Sequence, residues 1–523
     1  MSKQINKIVI VGGGSAGWMT AATLISQFPD KEVILIESPN VPIVGVGEST
    51  IGGINAWTNL IGIDKNDFIP ETDASYKLSI KFTDFYKKDS GSFHYPFGVP
   101  ELLGNFAAKN DWYFKKIVFP ETPVSDYASC MFSNMALVDS NKIHKNEDNR
   151  FPNFIFDRDT AFHFDASKFG IWLRDKFSKP RGVKHVQAEI KNTIVNDDGV
   201  DYLVLDNGEK VTADLFIDCT GFKSILLAGA LKEPFDSYES MLPNNSAWAT
   251  RVPYTDKEKQ LVGWTECHAI NNGWVWTIPL WSRIGTGYVY SDKYISDSDA
   301  LEEFKEHLKQ TGMYQDDLEY KNIKMRVGIH KRIWVKNVCA IGLSSGFIEP
   351  LESSGLFTVH EFLMKLVRTL GRGENAVNQF DKDAFNYSCT NQFKKFAQFV
   401  AMHYALSHRD DTPYWRDVGN RTYSLDLVDS KYKPVSNEFM EYTDQRFNNY
   451  CYTDNFAGIH CISTGLNCFP TDKYSLKSFD WHGHNVQALP DIAANLTNKR
   501  DYWRSLANDC PSLFQFLKQN HYK

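Results

Sequence analysis

The chain has 523 residues, too many for one simple hydrophobic core, so two or three interlocked lobes are expected. A hydrophobic share of 42% and an aromatic share of 14% are enough for a large core. The net charge of −7, without any run of basic residues, argues against nucleic acid as a partner, because phosphate binding needs a basic surface.

Cysteine usage and the lack of long apolar runs indicate an intracellular protein. Nine scattered cysteines without a C-x-x-C pair predict reduced thiols and no metal site. The apolar run at residues 8–11 is too short for a signal peptide, and no stretch of 18 apolar residues predicts a membrane span. We therefore expect a cytoplasmic protein, and a homo-oligomer is compatible with this composition.

The first predicted unit is a strand, a glycine-rich turn, a helix and a second strand. Residues 7–11 form the first strand, residues 12–17 fit the pattern G-x-G-x-x-G, and residues 16–28 carry apolar residues at helical spacing. Residues 32–36 form the second strand, which ends in Glu37. This order of elements is typical of the Rossmann-type dinucleotide-binding motif. The alternative is a glycine-rich turn without a ligand.

Each position of the turn has a physical role in binding a dinucleotide. Gly12 permits the tight turn, Gly14 lets the backbone approach a pyrophosphate, and Gly17 lets the helix lie close to the strand. Ser15 and Ala16 open the helix, where free N–H groups face the phosphates. Glu37 lies twenty residues past Gly17, where a carboxylate can accept hydrogen bonds from a ribose.

Two later segments favour FAD over NAD. Residues 214–221 resemble the second strand-and-glycine element of FAD-dependent monooxygenases, and residues 338–343 form a third apolar strand ending near Gly342. No second G-x-G-x-x-G occurs, so a dedicated NAD(P)H site has no support. The predicted fold is an α/β, FAD-dependent monooxygenase-like module with a mostly helical region that covers the substrate.

Several motifs together resemble a flavin-dependent halogenase of the tryptophan-halogenase family, and the overall likeness is to a viral member. The matching segments lie at residues 11–19, 45–50, 76–82, 273–279, 347–355 and 409–413. The most specific are Lys77 and the run Trp-Val-Trp-Thr-Ile-Pro that contains Trp274 and Trp276. Taken alone, that run also fits an ordinary strand with two core tryptophans.

The resemblance implies a chemistry and two catalytic residues. Reduced FAD (FADH₂), O₂ and a halide such as chloride, bromide or iodide give hypohalous acid, which Lys77 delivers to an aromatic carbon. Glu352 would stabilise the cationic ring intermediate and take its proton. Lys81 and Glu349 are the competing lysine and carboxylate. A separate NAD(P)H-dependent flavin reductase would supply the reduced flavin.

The resemblance also assigns binding residues. Those for the cofactor are Gly47, Glu48, Ser49, Trp274, Trp276, Gly342 and Ser353, in addition to the glycine motif and Glu37. Backbone N–H groups of Ser354 and Gly355 would hold the halide at the start of a helix over residues 356–370, with serines as its caps. The tryptophan pair would keep organic substrate away from the flavin.

Substrate recognition departs from the family pattern. Phe97 matches a residue that stacks on the substrate ring, but Tyr95 stands where tryptophan halogenases usually carry histidine. The C-terminal aromatic pair that holds free tryptophan has no clear counterpart, and residues 452–454 lie near that place. A small aromatic substrate such as an indole or a phenol, or a larger one, is expected. Core packing is the alternative role for Phe97.

The predicted organisation has two parts. Residues 1–375 form a discontinuous FAD-binding module with insertions around 91–150 and 240–325, and residues 376–523 form a mainly helical region that completes the substrate site. Two other functions remain open on the sequence, namely an FAD-dependent aromatic hydroxylase and a non-catalytic flavin-binding protein.

Overall fold

A computed structural model describes residues 3–41, 48–101, 111–373, 376–421, 457–468 and 489–523. Its helices are α1 (Ser15–Gln27), α2 (Ile54–Ile61), α3 (Lys65–Phe68), α4 (Asp111–Val118), α5 (Asp126–Met131), α6 (Met135–Asp139), α7 (Phe156–Asp159), α8 (Ala166–Trp172), α9 (Lys257–Gln260), α10 (Asp297–Gln310), α11 (Ser354–Arg372), α12 (Gln379–Ala405), α13 (Pro413–Asn420), α14 (Ala457–Gly465), α15 (Leu489–Ala507) and α16 (Leu513–Asn520).

The strands are β1 (Lys3–Gln4), β2 (Lys7–Val11), β3 (Glu32–Glu37), β4 (Ser75–Lys77), β5 (Ser79–Thr83), β6 (Ser92–Pro96), β7 (Ala161–His163), β8 (Lys184–Gln187), β9 (Ile190–Asn196), β10 (Gly199–Leu205), β11 (Lys210–Val211), β12 (Leu215–Asp218), β13 (Phe235–Ser237), β14 (Ser246–Pro253), β15 (Trp264–Ile270), β16 (Gly273–Pro279), β17 (Arg283–Tyr290), β18 (Lys321–Lys324), β19 (Gly328–His330), β20 (Trp334–Val335), β21 (Val338–Ala340), β22 (Gly346–Phe347) and β23 (Ala376–Val377).

The nucleotide-binding unit is a six-stranded sheet in the order β20-β21-β12-β2-β3-β8. All neighbouring pairs are parallel except β20 with β21 at one edge. Ile8 and Ile10 face one apolar cluster, whereas Val9 and Val11 face another. Both faces of the sheet are therefore covered, and this explains the continuous apolar runs of its strands. The α/β fold class predicted from the sequence is confirmed.

The predicted strands of this sheet are found where the sequence indicated them. β2 has the predicted bounds, β3 extends one residue further to Glu37, and β12 and β21 come from the two segments that favoured FAD. Helix α1 begins at Ser15, one residue earlier than predicted, because Gly14 occupies the N-cap position with an extended backbone. The glycine motif thus joins a central parallel strand to a buried helix.

A second, seven-stranded sheet has the order β18-β14-β17-β16-β15-β5-β6. Five of its seven strands, at residues 246–324, come from one predicted insertion, and β5 and β6 complete the sheet. β16 carries the two tryptophans in its interior. The short pair β4 and β7 lies beside this sheet and carries Lys77 and His163 at opposite ends of its register.

The described residues after 378 are almost entirely helical. Helix α12 packs against α11 and α13, and the last helix is followed by Tyr522, whose hydroxyl donates to the backbone oxygens of Ile69 and Ala74. None of the helices in the described ranges is long and apolar enough to cross a membrane. The predicted features of residues 452–454 lie outside the described residues.

Candidate active site

The turn after β2 is shaped by glycines that have little room for a side chain. Gly12 has φ of 111°, in the region that glycine favours. A Cβ on Gly17 would lie 1.9 Å from the carbonyl oxygen of Gly12, so the helix packs directly against the turn. A Cβ on Gly14 would meet no protein atom within 4 Å, and Gly14 lines a cavity.

This cavity has a volume of about 490 Å³ and extends from the glycine turn to the second sheet. Among the residues predicted to bind the cofactor, its lining includes Gly12, Gly14, Ser15, Ala16, Glu37, Glu48, Ser49, Trp276, Gly342 and Ser353. The glycine turn leaves open space beside the first N–H groups of α1, which suits a pyrophosphate. This shape and lining fit an FAD molecule laid along the cavity.

Glu37 lies at the carboxyl end of β3 and bends over the glycine turn. A Cβ on Gly13 would lie 1.6 Å from its Oε2 atom. His185 Nε2 lies 2.8 Å from Glu37 Oε1, and the two form a hydrogen-bonded pair. This bond fixes a carboxylate at the cavity wall, where the sequence placed a ribose-binding acid.

Glu48 is a second carboxylate in the cavity wall and is held by Arg283. The guanidinium of Arg283 contacts Glu48 and also lies 2.9 Å from Asp165, which caps α8. Burial raises the pKa of the Glu48 carboxyl, while Arg283 opposes that shift. The next predicted cofactor residue back along the chain, Gly47, lies outside the described residues.

The two tryptophans of β16 occupy different places. Trp276 lines the cavity, whereas Trp274 is fully buried and is absent from the lining. The ring centroids lie 6.3 Å apart at an angle of 61°. The indole N–H of Trp274 donates to Glu349 Oε2 at 3.0 Å. The two rings therefore do not form one flat surface. Trp276 lines the cavity, and Trp274 packs against Trp276 without lining it.

The start of α11 touches the same cavity. Gly355 lines it, and a Cβ there would meet nothing within 4 Å. The prediction that serines cap this helix is wrong. Ser353 has φ of 57° and makes no side-chain capping bond, and the Ser354 hydroxyl donates to the carbonyl of Ile348. The first N–H groups of α11 lack an intrahelical partner and remain available to an anion.

Lys77 ends β4 and is completely buried. Its Nζ atom donates to Ser49 Oγ at 2.9 Å, to the Thr50 carbonyl at 3.0 Å and to Ser353 Oγ at 2.8 Å. Burial lowers the pKa of Lys77 to about 7, against the attraction of Cys267 and Glu352. The two hydroxyls that hold the amine also line the cofactor cavity.

Lys81, the competing lysine, lies in a different environment. Its Nζ atom pairs with Glu266 at 3.0 Å, and a quarter of its side chain is exposed. Lys81 does not line the cofactor cavity. The structure thus separates two lysines that the sequence places only four residues apart.

Glu352 is also buried, and it faces a histidine that the sequence analysis did not connect with it. His403 Nε2 on α12 lies 3.0 Å from Glu352 Oε1, and neither atom has a hydrogen-bond partner elsewhere in the described structure. His403 Nδ1 lies 3.0 Å from the Val400 carbonyl, which can only accept. The Glu352 and His403 side chains therefore lie within ion-pair distance of each other. No local sequence pattern predicts this contact, because Glu352 and His403 lie fifty-one positions apart.

Glu349, the competing carboxylate, is held by hydrogen bonds from three side chains. Its Oε2 atom accepts hydrogen bonds from Trp274, from Asn244 Nδ2 at 2.8 Å and from the Tyr404 hydroxyl at 2.7 Å. Burial raises the pKa of this carboxyl, and these donors oppose the shift. Glu349 therefore anchors β16 to α12 and does not line the cavity.

Phe97 and Tyr95 lie close to both candidate catalytic residues. The Phe97 ring centroid is 5.1 Å from Lys77 Nζ, and the Tyr95 ring lies 6.0 Å from that of Phe97. Burial, followed by the charge of Glu352, raises the pKa of Tyr95. Two aromatic rings thus face the region between the lysine and the glutamate.

The structure therefore brings together side chains from distant parts of the chain. In the described ranges, no group of three or more His, Cys, Asp or Glu residues is placed to hold a metal ion. Lys77 bonds to two serines of the cavity wall, and the charge of the buried Glu352 acts on Lys77.

Comparisons with known proteins agree on one family. Residues 7–468 match the family model described as tryptophan halogenase. The chain is 30% identical to tryptophan 6-halogenase ThaL of Streptomyces albogriseolus, over 100% of this chain and 99% of that protein. It is 31% identical to tryptophan 7-halogenase RebH of Lentzea aerocolonigenes over 100% of both. The solved apo structure of VirX1 is 38% identical, with a TM-score of 0.91 and 99% of each chain covered.

Proposed function

This chain belongs to the tryptophan halogenase family, and we propose that it uses FADH₂, O₂ and a halide to form hypohalous acid, which Lys77 delivers to an electron-rich aromatic ring. The family consists of flavin-dependent oxidoreductases that halogenate aromatic substrates. The observation that carries the proposal is a fully buried amine, Lys77, reached from the cofactor cavity through the hydroxyls of Ser49 and Ser353.

The cavity residues bind and orient the cofactor in this proposal. Gly14, Ser15 and Ala16 hold the pyrophosphate, and Glu37 accepts hydrogen bonds from the ribose. When bound, FADH₂ activates O₂ so that a halide is oxidised to hypohalous acid. The halide is held by the N–H groups of Ser354 and Gly355 at the start of α11.

Trp276 and Trp274 separate the two reaction regions. Trp276 forms part of the cavity wall, and Trp274 supports it through its bond to Glu349. Large rigid rings at this place keep an organic substrate away from the cofactor, while small species can still pass. The alternative reaction, direct hydroxylation, is thereby suppressed.

Lys77 and Glu352 then act on opposite sides of the substrate ring. Hypohalous acid displaces one of the three acceptors that hold the Lys77 ammonium and accepts its hydrogen bond. The ring carbon takes the halogen, and the departing hydroxide leaves as water with the proton of Lys77. Glu352 takes the proton from the same ring carbon. A return of that proton to Lys77 restores both groups, so one arene and one hypohalous acid give one haloarene and one water.

The substrate is a small aromatic molecule held by Phe97 and Tyr95. Phe97 is buried beside Lys77 and Tyr95 is partly buried next to Phe97, and the two rings offer an apolar surface for stacking. Tyr95 in place of the usual histidine favours an indole, a phenol or a related ring that differs from free tryptophan. A separate NAD(P)H-dependent flavin reductase supplies the FADH₂, and the cytoplasmic location stays a prediction.

The test is halide-dependent product formation, with two lysine variants as the internal comparison. The wild type is incubated with FADH₂, O₂, an arene panel and either bromide or chloride, and products are measured by mass spectrometry. Lys77→Ala should lower the yield by about 10²–10⁴-fold while FAD affinity is unchanged. Lys81→Ala is the matched control and should retain the activity.

Two results would contradict the proposal. Full activity of Lys77→Ala would remove the assigned role of this lysine. A hydroxylated product that forms equally well without halide would identify the protein as an aromatic hydroxylase, since both activities share the cofactor and O₂.

A further inference from the structure

A series of buried hydrogen bonds leads from Lys77 to the Pro279 carbonyl, and two of its residues, Ser49 and Thr265, line the cofactor cavity. Ser49 Oγ, which accepts from Lys77, lies 2.9 Å from Thr265 Oγ1. Thr265 Oγ1 lies 2.8 Å from His163 Nε2, and His163 Nδ1 lies 3.1 Å from the carbonyl oxygen of Pro279. All four side chains are buried. The chain joins β4, β15, β7 and the end of β16.

The Pro279 carbonyl, at the end of this series, determines which atom donates and which accepts in each hydrogen bond. The Pro279 carbonyl can only accept, so His163 Nδ1 carries a hydrogen. Burial, and then the nearby Lys77, lowers the pKa of His163 well below its usual value, so the ring is neutral and Nε2 is an acceptor. Thr265 must therefore donate to His163, and Ser49 must donate to Thr265.

Ser49 then has only lone pairs left for its other neighbours. It accepts from Lys77, and Ser353, whose Oγ atom lies 3.0 Å away, must donate to it. Ser353 in turn accepts from Lys77. With the Thr50 carbonyl as the third acceptor, all three hydrogens of a lysine ammonium find partners.

We propose that His163 and Thr265 are positioning residues that orient the hydroxyl of Ser49 as an acceptor for the Lys77 amine. The inference rests on the proposed function, in which Lys77 delivers the halogen. The neutral histidine does not exchange protons itself. It determines which hydroxyls near the lysine donate and which accept hydrogen bonds. This arrangement stabilises the protonated form of Lys77, which burial disfavours.

Two other titratable groups act on Lys77 without taking part in this series of hydrogen bonds, and one of them shares strand β15 with Thr265. They are Glu352, before α11, and Cys267 on β15. Both favour the charged lysine, but neither bonds to the hydroxyls of Ser49 or Thr265. A change at Thr265 therefore alters the polarity of the network and leaves these two groups in place.

Removal of the Thr265 hydroxyl has a predictable effect. In Thr265→Val the shape is kept, but the hydrogen of Ser49 loses its acceptor. Ser49 and Ser353 cannot both donate to each other, so one hydroxyl hydrogen must turn toward the amine. That arrangement favours neutral Lys77, and the pKa of Lys77 should fall by about 0.5–1 unit.

The measurement uses the FAD-loaded protein labelled with ¹³Cε-lysine, and Lys77→Met identifies the Lys77 signal. Ordinary lysines titrate near pH 10.4, so a transition near pH 7 stands apart. We expect a downward shift in Thr265→Val and in Thr265→Ala, and its recovery in Thr265→Ser. Thr250→Val is the matched control, because this buried threonine of the same large sheet donates to the Glu319 carbonyl instead.

The titration tests the network without any turnover. An unchanged Lys77 transition in both Thr265→Val and Thr265→Ala, or an equal shift in Thr250→Val, would overturn the inference. If the shift appears as expected but the wild type forms no halogenated product, the network stands and only the proposed function fails.

Discussion

The glycine turn and the pocket around Lys77 are neighbours, but they are built in opposite ways. The turn uses consecutive residues, 12–17, and offers backbone groups and open space to a ligand. The amine of Lys77 is held by the adjacent residues 49 and 50 and by residue 353, about three hundred positions further along the chain. From this difference we expect changes in the turn to alter cofactor affinity and changes in the pocket to alter the reaction rate.

The two glutamates before α11 give the largest expected effect and test the reaction side of this comparison. Glu352→Gln keeps the shape but cannot take the ring proton, so halogenation should slow by about 10²–10⁴-fold at unchanged FAD affinity. Single-turnover product formation and a fluorescence titration with FAD measure the two quantities.

Glu349→Gln is the comparison for this variant, three residues away. The amide oxygen would keep part of the hydrogen-bond network around Trp274. If the N–H₂ group faces the neighbouring donors instead, they lose their acceptor, so the free energy of unfolding should fall by about 1–3 kcal/mol. Its rate should fall much less than that of Glu352→Gln. Equal losses of rate in the two variants would remove the distinction between a reacting and a supporting carboxylate.

A substitution at Gly17 tests the expected role of the glycine turn in cofactor affinity. A Cβ there would lie 1.9 Å from the Gly12 carbonyl oxygen, and overpacking of this kind costs about 1–3 kcal/mol. Gly17→Ala should weaken FAD binding by about 10–100-fold, because the turn must move away from the helix. Equilibrium binding followed by flavin fluorescence measures the effect.

The control is Gly371→Ala near the end of α11, where a Cβ meets nothing within 4 Å. This variant should bind FAD as the wild type does. If Gly17→Ala also binds normally, the close contact between helix and turn does not set the affinity.

The contrast between the two regions also explains what the sequence could predict. The glycine turn, β3 with Glu37, and the two further strands of the sheet follow from local patterns, because each signal lies within about twenty residues. Lys77 and Glu352 were found through resemblance to a family and not through spacing. Local patterns predict strands and turns, but not which distant side chains meet.

His403 and Thr265 show where that limit lies. His403 reaches Glu352 from α12, and Thr265 reaches Ser49 across 216 positions, so no periodicity connects them. The serine caps of α11 were predicted from residue type alone, and the error has a physical reason. The hydroxyl of Ser353 is engaged by Lys77, and that of Ser354 by a carbonyl, so neither is free to cap the helix.

The last prediction concerns stability and tests whether the buried environment of Lys77 differs from that of a solvated lysine. The pKa of Lys77 is about 7 in the folded protein and about 10.4 in an unfolded chain. Between these values the unfolded state binds one more proton than the folded state. The free energy of unfolding should therefore rise with pH, by about 1.4 kcal/mol per unit between pH 7 and 10.

Lys77→Met isolates this contribution, because it lacks the titrating group and keeps an unbranched side chain. Urea unfolding of both proteins, at one FAD concentration and at several pH values from 7 to 9.5, gives the difference in free energy of unfolding. That difference should increase in favour of the wild type as the pH rises, since the penalty for burying a charged amine disappears when the amine is neutral. A difference that does not change with pH would mean that Lys77 titrates alike in the folded and unfolded states.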